Sequence, residues 1–179
     1  MAKTTKAANT AKNAGSKTQT PRASISTRWR SVAESRCESL GERLTPARLG
    51  AYAELIAAKG ALTAYELIDR LGKRQKRDIA PLTVYRHLDF LTRVGLVHRI
   101  ESTQSYLPCE HPEKPHDSQY LLCSDCGRIE EVRSDSLDSL LTGIASKRGF
   151  KPAKTIVEVS GMCGECAGGQ RQKSPVSMT

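Results

Sequence analysis

The chain has 179 residues, 38% hydrophobic and only 4% aromatic, with a formal charge of +9. That length holds one domain or two small ones, with cores built mainly from aliphatic side chains. No apolar run approaches the roughly 20 residues of a membrane span, and the N-terminus lacks the apolar stretch of a secretory signal, so neither membrane insertion nor secretion is expected and a cytoplasmic location is.

The charge is unevenly placed: residues 1–30 hold seven basic side chains and no acid, whereas residues 105–166 are net negative. Residues 1–27, rich in Ala, Thr, Lys and Ser without hydrophobic periodicity, are expected to form a disordered basic tail, because they cannot bury enough apolar surface to order themselves. Such a leader has the composition of a transit peptide, but a loose, salt-sensitive attraction to phosphates is the preferred reading. Overall basicity is therefore no argument for nucleic-acid binding; the helices have to supply one.

Four helices follow. The first is expected over residues 28–40, closing near Gly41 and packing Cys37. The second opens at Leu44-Thr45-Pro46, with Thr45 as N-cap, Pro46 at the first helical position and Leu44 stapled to Leu49. Its inward face is expected to be Leu49, Ala53 and Ile56, up to Gly60. In the third, Thr63-Ala64-Tyr65-Glu66 is a capping box that Leu62 and Leu67 can staple, and Gly72 is expected to end it. A basic loop, residues 73–78, comes next. The fourth helix spans residues 81–94, closed by Gly95. At 100° per residue, Val84, Leu88, Phe90, Leu91 and Val94 share one side, and Tyr85, Arg86, Asp89 and Arg93 the other. An open side with two arginines and a tyrosine suits a major groove; the bland alternative is a surface helix with an Asp89–Arg93 ion pair. His87 falls among the apolar residues and reads as a packed histidine. Two short strands, residues 96–101 and 105–107, complete a winged helix-turn-helix over residues 28–107.

Residues 108–117 contain three prolines, with Cys109, His111 and His116, and read as a hinge. The remaining ordered unit, residues 118–167, follows a β-β-α-β order. Strands are expected over residues 119–122, 128–133 and 155–159. The helix starts at Ser134, has Asp135 and Asp138 in its first turn and Lys147-Arg148 in its last, and lines one face with Leu137, Leu140, Leu141 and Ile144. Cys123-Ser124-Asp125-Cys126 closes the first strand, and Cys163-Gly164-Glu165-Cys166 follows the last. One CxxC pair is weak evidence, since redox motifs share it; two supply the four thiolates of a closed structural zinc site. The unit is small, so a homodimer with a continuous sheet would help to bury its apolar faces. Residues 168–179 look frayed. The fold class is thus α+β, an N-terminal winged helix-turn-helix domain plus a C-terminal α/β dimerisation domain with a four-cysteine zinc site.

The order of parts resembles the ferric uptake regulator family, and within it the zinc-responsive branch, the zinc uptake regulators. The resemblance rests on Arg43-Leu44-Thr45-Pro46-Ala47-Arg48, Ala64-Tyr65-Glu66-Leu67, Thr83-Val84-Tyr85-Arg86-His87-Leu88, Val97-His98-Arg99-Ile100-Glu101-Ser102 and the two cysteine knuckles. It implies a dimeric repressor that binds palindromic operator DNA and no small organic ligand. It assigns Cys123, Cys126, Cys163 and Cys166 to a structural zinc, and implies a second, regulatory zinc, making two per subunit, held by His98, Cys109, His116 and Glu131. That donor set balances the Zn²⁺ charge with one thiolate and one carboxylate. His111 is the alternative to His116. Glu130 and Glu131 point to opposite strand faces, so only one of them can serve. The segment before the first knuckle holds a single histidine, His116, where the iron-sensing branch is His-rich, which favours zinc. Tyr65 and Arg86 are the expected base contacts, Arg93 and Arg48 the expected phosphate contacts, with Thr83 and Tyr85 beside them. The rival readings are a thiol oxidoreductase using one CxxC and a zinc-ribbon scaffold without metal-dependent DNA affinity. No nucleophile–base–oxyanion arrangement is visible, so no enzyme is expected.

Overall fold

The computed structural model describes residues 22–58, 60–113 and 118–169; the greater part of the expected N-terminal tail, His116 and residues 170–179 lie outside these. Among the described residues, six helices and six strands follow in the order α1 (Arg22–Ser39), α2 (Pro46–Ala58), β1 (Leu62–Thr63), α3 (Ala64–Gln75), α4 (Pro81–Arg93), β2 (Val97–Ile100), β3 (Ser105–Pro108), β4 (Ser118–Cys123), β5 (Ile129–Val132), α5 (Asp135–Ser146), β6 (Ile156–Gly161) and α6 (Gly164–Ala167). No helix among the described residues is long and apolar enough to cross a membrane.

Helices α1–α4 enclose the larger core. Leu55, Leu67, Leu88, Leu91 and Val84 are fully buried in it, beside Tyr52, Ala33 and Cys37. Each such leucine contributes roughly 1.5–3 kcal/mol by leaving water. The capping box of α3 is present as read: Thr63 Oγ1 accepts from the Glu66 N–H at 3.3 Å, and the Glu66 carboxylate accepts from the Thr63 N–H at 2.7 Å. Thr45 Oγ1 accepts from Arg48 N–H at 3.4 Å, as its N-cap position requires. At the far end of α4 the chain turns through Gly95, at φ +75°, and Arg36 Nε donates to the Val94 carbonyl at 3.0 Å. An α1 side chain thereby satisfies a carbonyl that the end of α4 leaves without an intrahelical donor.

The structure corrects expectations in four helices. Helix α1 begins at Arg22, inside the stretch assigned to the tail. Helix α2 buries Ala51, Tyr52 and Leu55 most deeply; of the expected face, Ile56 packs partly buried against the same core and Leu49 and Ala53 are half-buried, and the Tyr52 ring meets Trp29 edge-on at 6.4 Å. Gly72 does not stop α3, which runs to Gln75 and closes on Lys76 in the left-handed region. Lys73 and Arg74, expected in a loop, are helical and pair with Asp69 and Glu54. In α5, Lys147 is the C-cap, so the basic pair sits at and beyond the helix end instead of in its last turn.

Two three-stranded sheets follow, ordered β1-β3-β2 and β5-β4-β6. The first is the wing, extended by the short β1, which pairs Leu62 with Tyr106. Pro108, expected in the hinge, ends β3 opposite Val97. In the second sheet, β4 pairs antiparallel with β5 and parallel with β6, the crossover being made through α5. A small apolar cluster joins the sheets: Ile100 and Leu107 of the wing pack with Tyr120, Leu122 and Ile129. The opposite face leaves Leu121 and Val159 about half exposed, as are Leu140 and Ile144 on α5.

Candidate metal centres and nucleic-acid face

The two cysteine knuckles meet at one end of the second sheet. Parallel pairing of Cys123 with Gly161 brings the end of β4 beside the end of β6, and Ser124 N–H donates to the Gly161 carbonyl at 2.8 Å. Gly127, at φ +69°, turns the first knuckle back so that Cys123 N–H reaches the Arg128 carbonyl. The four sulfurs of Cys123, Cys126, Cys163 and Cys166 all lie within 4.8 Å of one another, with Cys126 and Cys163 3.9 Å apart. A tetrahedral zinc–thiolate shell, with Zn–S near 2.3 Å, has S···S edges of about 3.8 Å, so this cage fits such an ion. The Cys163 N–H, 3.3 Å from Cys123 Sγ, and the Cys126 N–H pull the Cys123 thiol down to about 6. Burial and the neighbouring sulfurs push Cys166 up. A metal cation in the cage would favour the thiolate form of its ligands.

A second group forms where the wing meets the second sheet. His98 of β2, Cys109 just after β3 and Glu131 of β5 place their donor atoms within 4.8 Å of one another. His98 Nε2 lies 3.1 Å from Glu131 Oε1, and both side chains are largely buried. Cys109 is completely buried, and its N–H donates to the Leu96 carbonyl at 3.0 Å, so the expected hinge is anchored to the wing at its start. Burial, then the Glu131 carboxylate, pushes the Cys109 thiol up to about 12. An imidazole, a thiol and a carboxylate converging at low exposure match the donor types of a zinc site that is short of one ligand. Of the expected alternatives, Glu131 joins this group, whereas Glu130 turns away to pair with Arg128. His111 gives its backbone N–H to Cys109, and its ring is not among the clustered donors.

The face expected to read DNA is open. Tyr65 is 74% exposed at the start of α3, and Thr83, Tyr85, Arg86 and Arg93 are exposed along α4. Leu82, which the helical wheel did not single out, is 61% exposed beside them; its place in the first turn of α4 was the signal available. Arg93 pairs with Glu42 rather than with Asp89. The Arg48 guanidinium lies 3.6 Å over the Phe90 ring and donates to the Arg43 carbonyl, so it has a structural engagement that the sequence did not reveal. His87 is half-buried, and burial, then Arg48, lowers its pKa.

Helices bearing an exposed basic face, a wing and a second sheet closed by a four-cysteine cage define a winged-helix protein of the metal-site-bearing class. The family model described as the ferric uptake regulator family matches residues 39–160. The zinc uptake regulation protein of Escherichia coli strain K12 is 36% identical over 135 residues, covering 75% of this chain and 78% of the relative. A solved zinc uptake regulator complexed with zinc and DNA superposes with a TM-score of 0.77 at 34% identity, covering 81% of this chain and 97% of that one. The crystal structure of holo XcZur superposes at 0.73 and 35% identity, over 80% and 99% of the two chains. The chain belongs to the ferric uptake regulator family, whose members are DNA-binding transcription regulators and not enzymes.

Proposed function

We propose that this chain is a zinc-responsive transcriptional repressor that binds palindromic operator DNA as a homodimer when its second metal centre is filled, and so controls zinc uptake from the cytoplasm. The observation that carries the reading is the His98–Cys109–Glu131 group, whose members come from the wing, the segment after it and the second sheet. Two of the similar proteins are zinc uptake regulators by name, one of them complexed with zinc and DNA. In this reading Cys123, Cys126, Cys163 and Cys166 hold a structural zinc. His98, Cys109 and Glu131, with His116 as the fourth donor, hold a regulatory one, for two per subunit. Zinc at the second centre supplies a Lewis-acidic point to which a thiolate, a carboxylate and imidazoles can be tied at once. Residues 28–107 act as the reading unit, residues 108–117 as the hinge and residues 118–167 as the dimerisation unit.

The residues then divide the work. His98 fixes the wing, and Glu131 fixes the second sheet beneath it. Their approach sets the angle at which the two α4 helices of a dimer face successive major grooves. Moving a population from 1% to 99% competent takes about 5.5 kcal/mol of differential binding, well within what a zinc site supplies. Arg86 pairs bidentately with a guanine and Tyr65 meets a neighbouring base, while Arg48 and Arg93 face phosphates and Thr83 and Tyr85 flank them. The apolar face bearing Leu121 and Val159 is where a second copy would be covered.

The test is duplex selection from a random pool by the purified chain, followed by gel shift with zinc and then with chelator. The expected result is a palindromic consensus bound only with zinc, and about two zinc ions per chain. A metal-free chain with an accessible redox-active CxxC, or no duplex preference, overturns the reading.

A further inference from the structure

Three side chains stand in one row across the second sheet. Tyr120 on β4 is the Cα partner of Glu131 on β5 and of Glu158 on β6. Residues paired in this way share a sheet face. The wing packs on that face: the Tyr120 ring lies 5.8 Å from the His98 ring, and Ile100 of the wing packs beside Tyr120. The two carboxylates flanking Tyr120 both reach upward into the first lobe. Glu131 approaches His98 and accepts from the Glu110 N–H at 3.2 Å. Glu158 reaches the turn at the tip of the wing, where its two oxygens accept from the Glu101 N–H at 2.7 Å and the Ser102 N–H at 3.0 Å.

The second grip contains no candidate metal ligand. Without Glu158 the Glu101 and Ser102 N–H groups would face water. A carboxylate accepting two of them makes charge-assisted bonds roughly twice as strong as neutral ones. Burial alone would push the Glu158 carboxyl up, yet the Ser102 hydroxyl and the two N–H groups together hold it below the usual carboxylate range.

We propose that Glu158 is a positioning residue for DNA binding, clamping the wing tip to the second sheet so that the chain is held at the DNA-reading angle from two points instead of one. The inference rests on the proposed function. Glu158 acts from the far side of Tyr120, brings His98 and Cys109 over Glu131, and lowers the free zinc needed to complete the switch. By linkage, whatever the clamp adds to the competent arrangement is felt by zinc at the second centre and by the duplex alike.

The experiment uses the full chain, zinc ions and the duplex selected by the zinc-loaded wild type. The Glu158→Ala variant is expected to need about tenfold more free zinc for half-maximal duplex binding, while keeping its dimer and its four-cysteine zinc. Glu158→Gln keeps one carbonyl acceptor and is expected to fall between the two. Amide exchange at Glu101 and Ser102 is expected to be slow in the wild type and faster in Glu158→Ala. An unchanged zinc midpoint in Glu158→Ala overturns the inference. So do wild-type amides at Glu101 and Ser102 that exchange at the rate of an open loop, a measurement that decides the matter even if the alanine variant fails to fold. Wild-type binding that ignores zinc refutes the proposed function instead, and the amide measurement still decides whether the clamp exists.

Discussion

His98 Nε2 lies 3.1 Å from Glu131 Oε1, although one residue belongs to the wing and the other to a separate sheet. Cys109 closes the group from the segment after β3. Ligand-type side chains thus meet at the joint between two sheets, and on the proposed function a metal held there sets the angle between two lobes. His98→Ala is therefore expected to lose zinc-dependent duplex binding by about 100-fold, in the range that loss of a metal-site residue can produce. The dimer and one tightly held zinc should survive. Gel shift with parallel metal analysis checks it, and a variant that binds like the wild type would remove His98 from the site.

The four-cysteine cage predicts a different failure. Cys163 joins the end of β6 to the first knuckle, and its N–H and sulfur both face the other cysteines. Cys163→Ser is expected to release the structural zinc and melt the second sheet, because metal affinity and folding free energy are shared in such sites. Thermal unfolding followed with metal content should show both losses together. A full melting temperature with no zinc would mean that the cage is not what holds the sheet.

Arg86 and Arg48 should separate cleanly. Arg86 is exposed on α4, so Arg86→Ala should cost about 1–3 kcal/mol of duplex binding and relax preference at one base pair. Arg48 stacks on Phe90, so Arg48→Ala should also lower the stability of the chain by roughly 0.5–1 kcal/mol. Repeating the duplex selection and thermal melts with each variant checks this. Identical losses of specificity from both would contradict the division.

Much of this was legible in the chain because it is local. The Thr63–Glu66 capping box, the apolar side of α4 and the two knuckles each depend on spacings within a few residues. Contacts that depend on how elements pack were not legible. Nothing near Arg93 announces Glu42 as its partner, and Glu158 reads as an ordinary strand residue until β6 pairs with β4. The most deeply buried residues of α2 were not legible for a related reason, although Ile56 of the expected face does pack on the core. That helix is apolar around much of its circumference, so packing against α3 and α4, with Trp29 of α1 on Tyr52, selects the deepest residues where periodicity does not.

His87 gives a pH prediction. Burial, then Arg48, lowers its pKa below that of an unfolded chain, so the folded state favours the neutral ring. Its full contribution is present above the unfolded value near 6.5 and is lost as pH falls from there through the folded value, because the unfolded chain then binds the extra proton. His87→Leu should therefore lose less melting temperature than the wild type between about pH 7.5 and about pH 5.5. Parallel pH dependences in the two proteins would show that His87 does not contribute.

Filling the His98–Cys109–Glu131 centre is expected to set the reading angle. The most direct measurement is the affinity for the selected duplex of a chain whose four-cysteine zinc is retained while the second centre is emptied by a mild chelator, then refilled. Binding is expected to be weaker by about 100-fold or more when the centre is empty, and to recover on adding one zinc per subunit. Equal affinity in the two states, with the sheet intact in both, would contradict it.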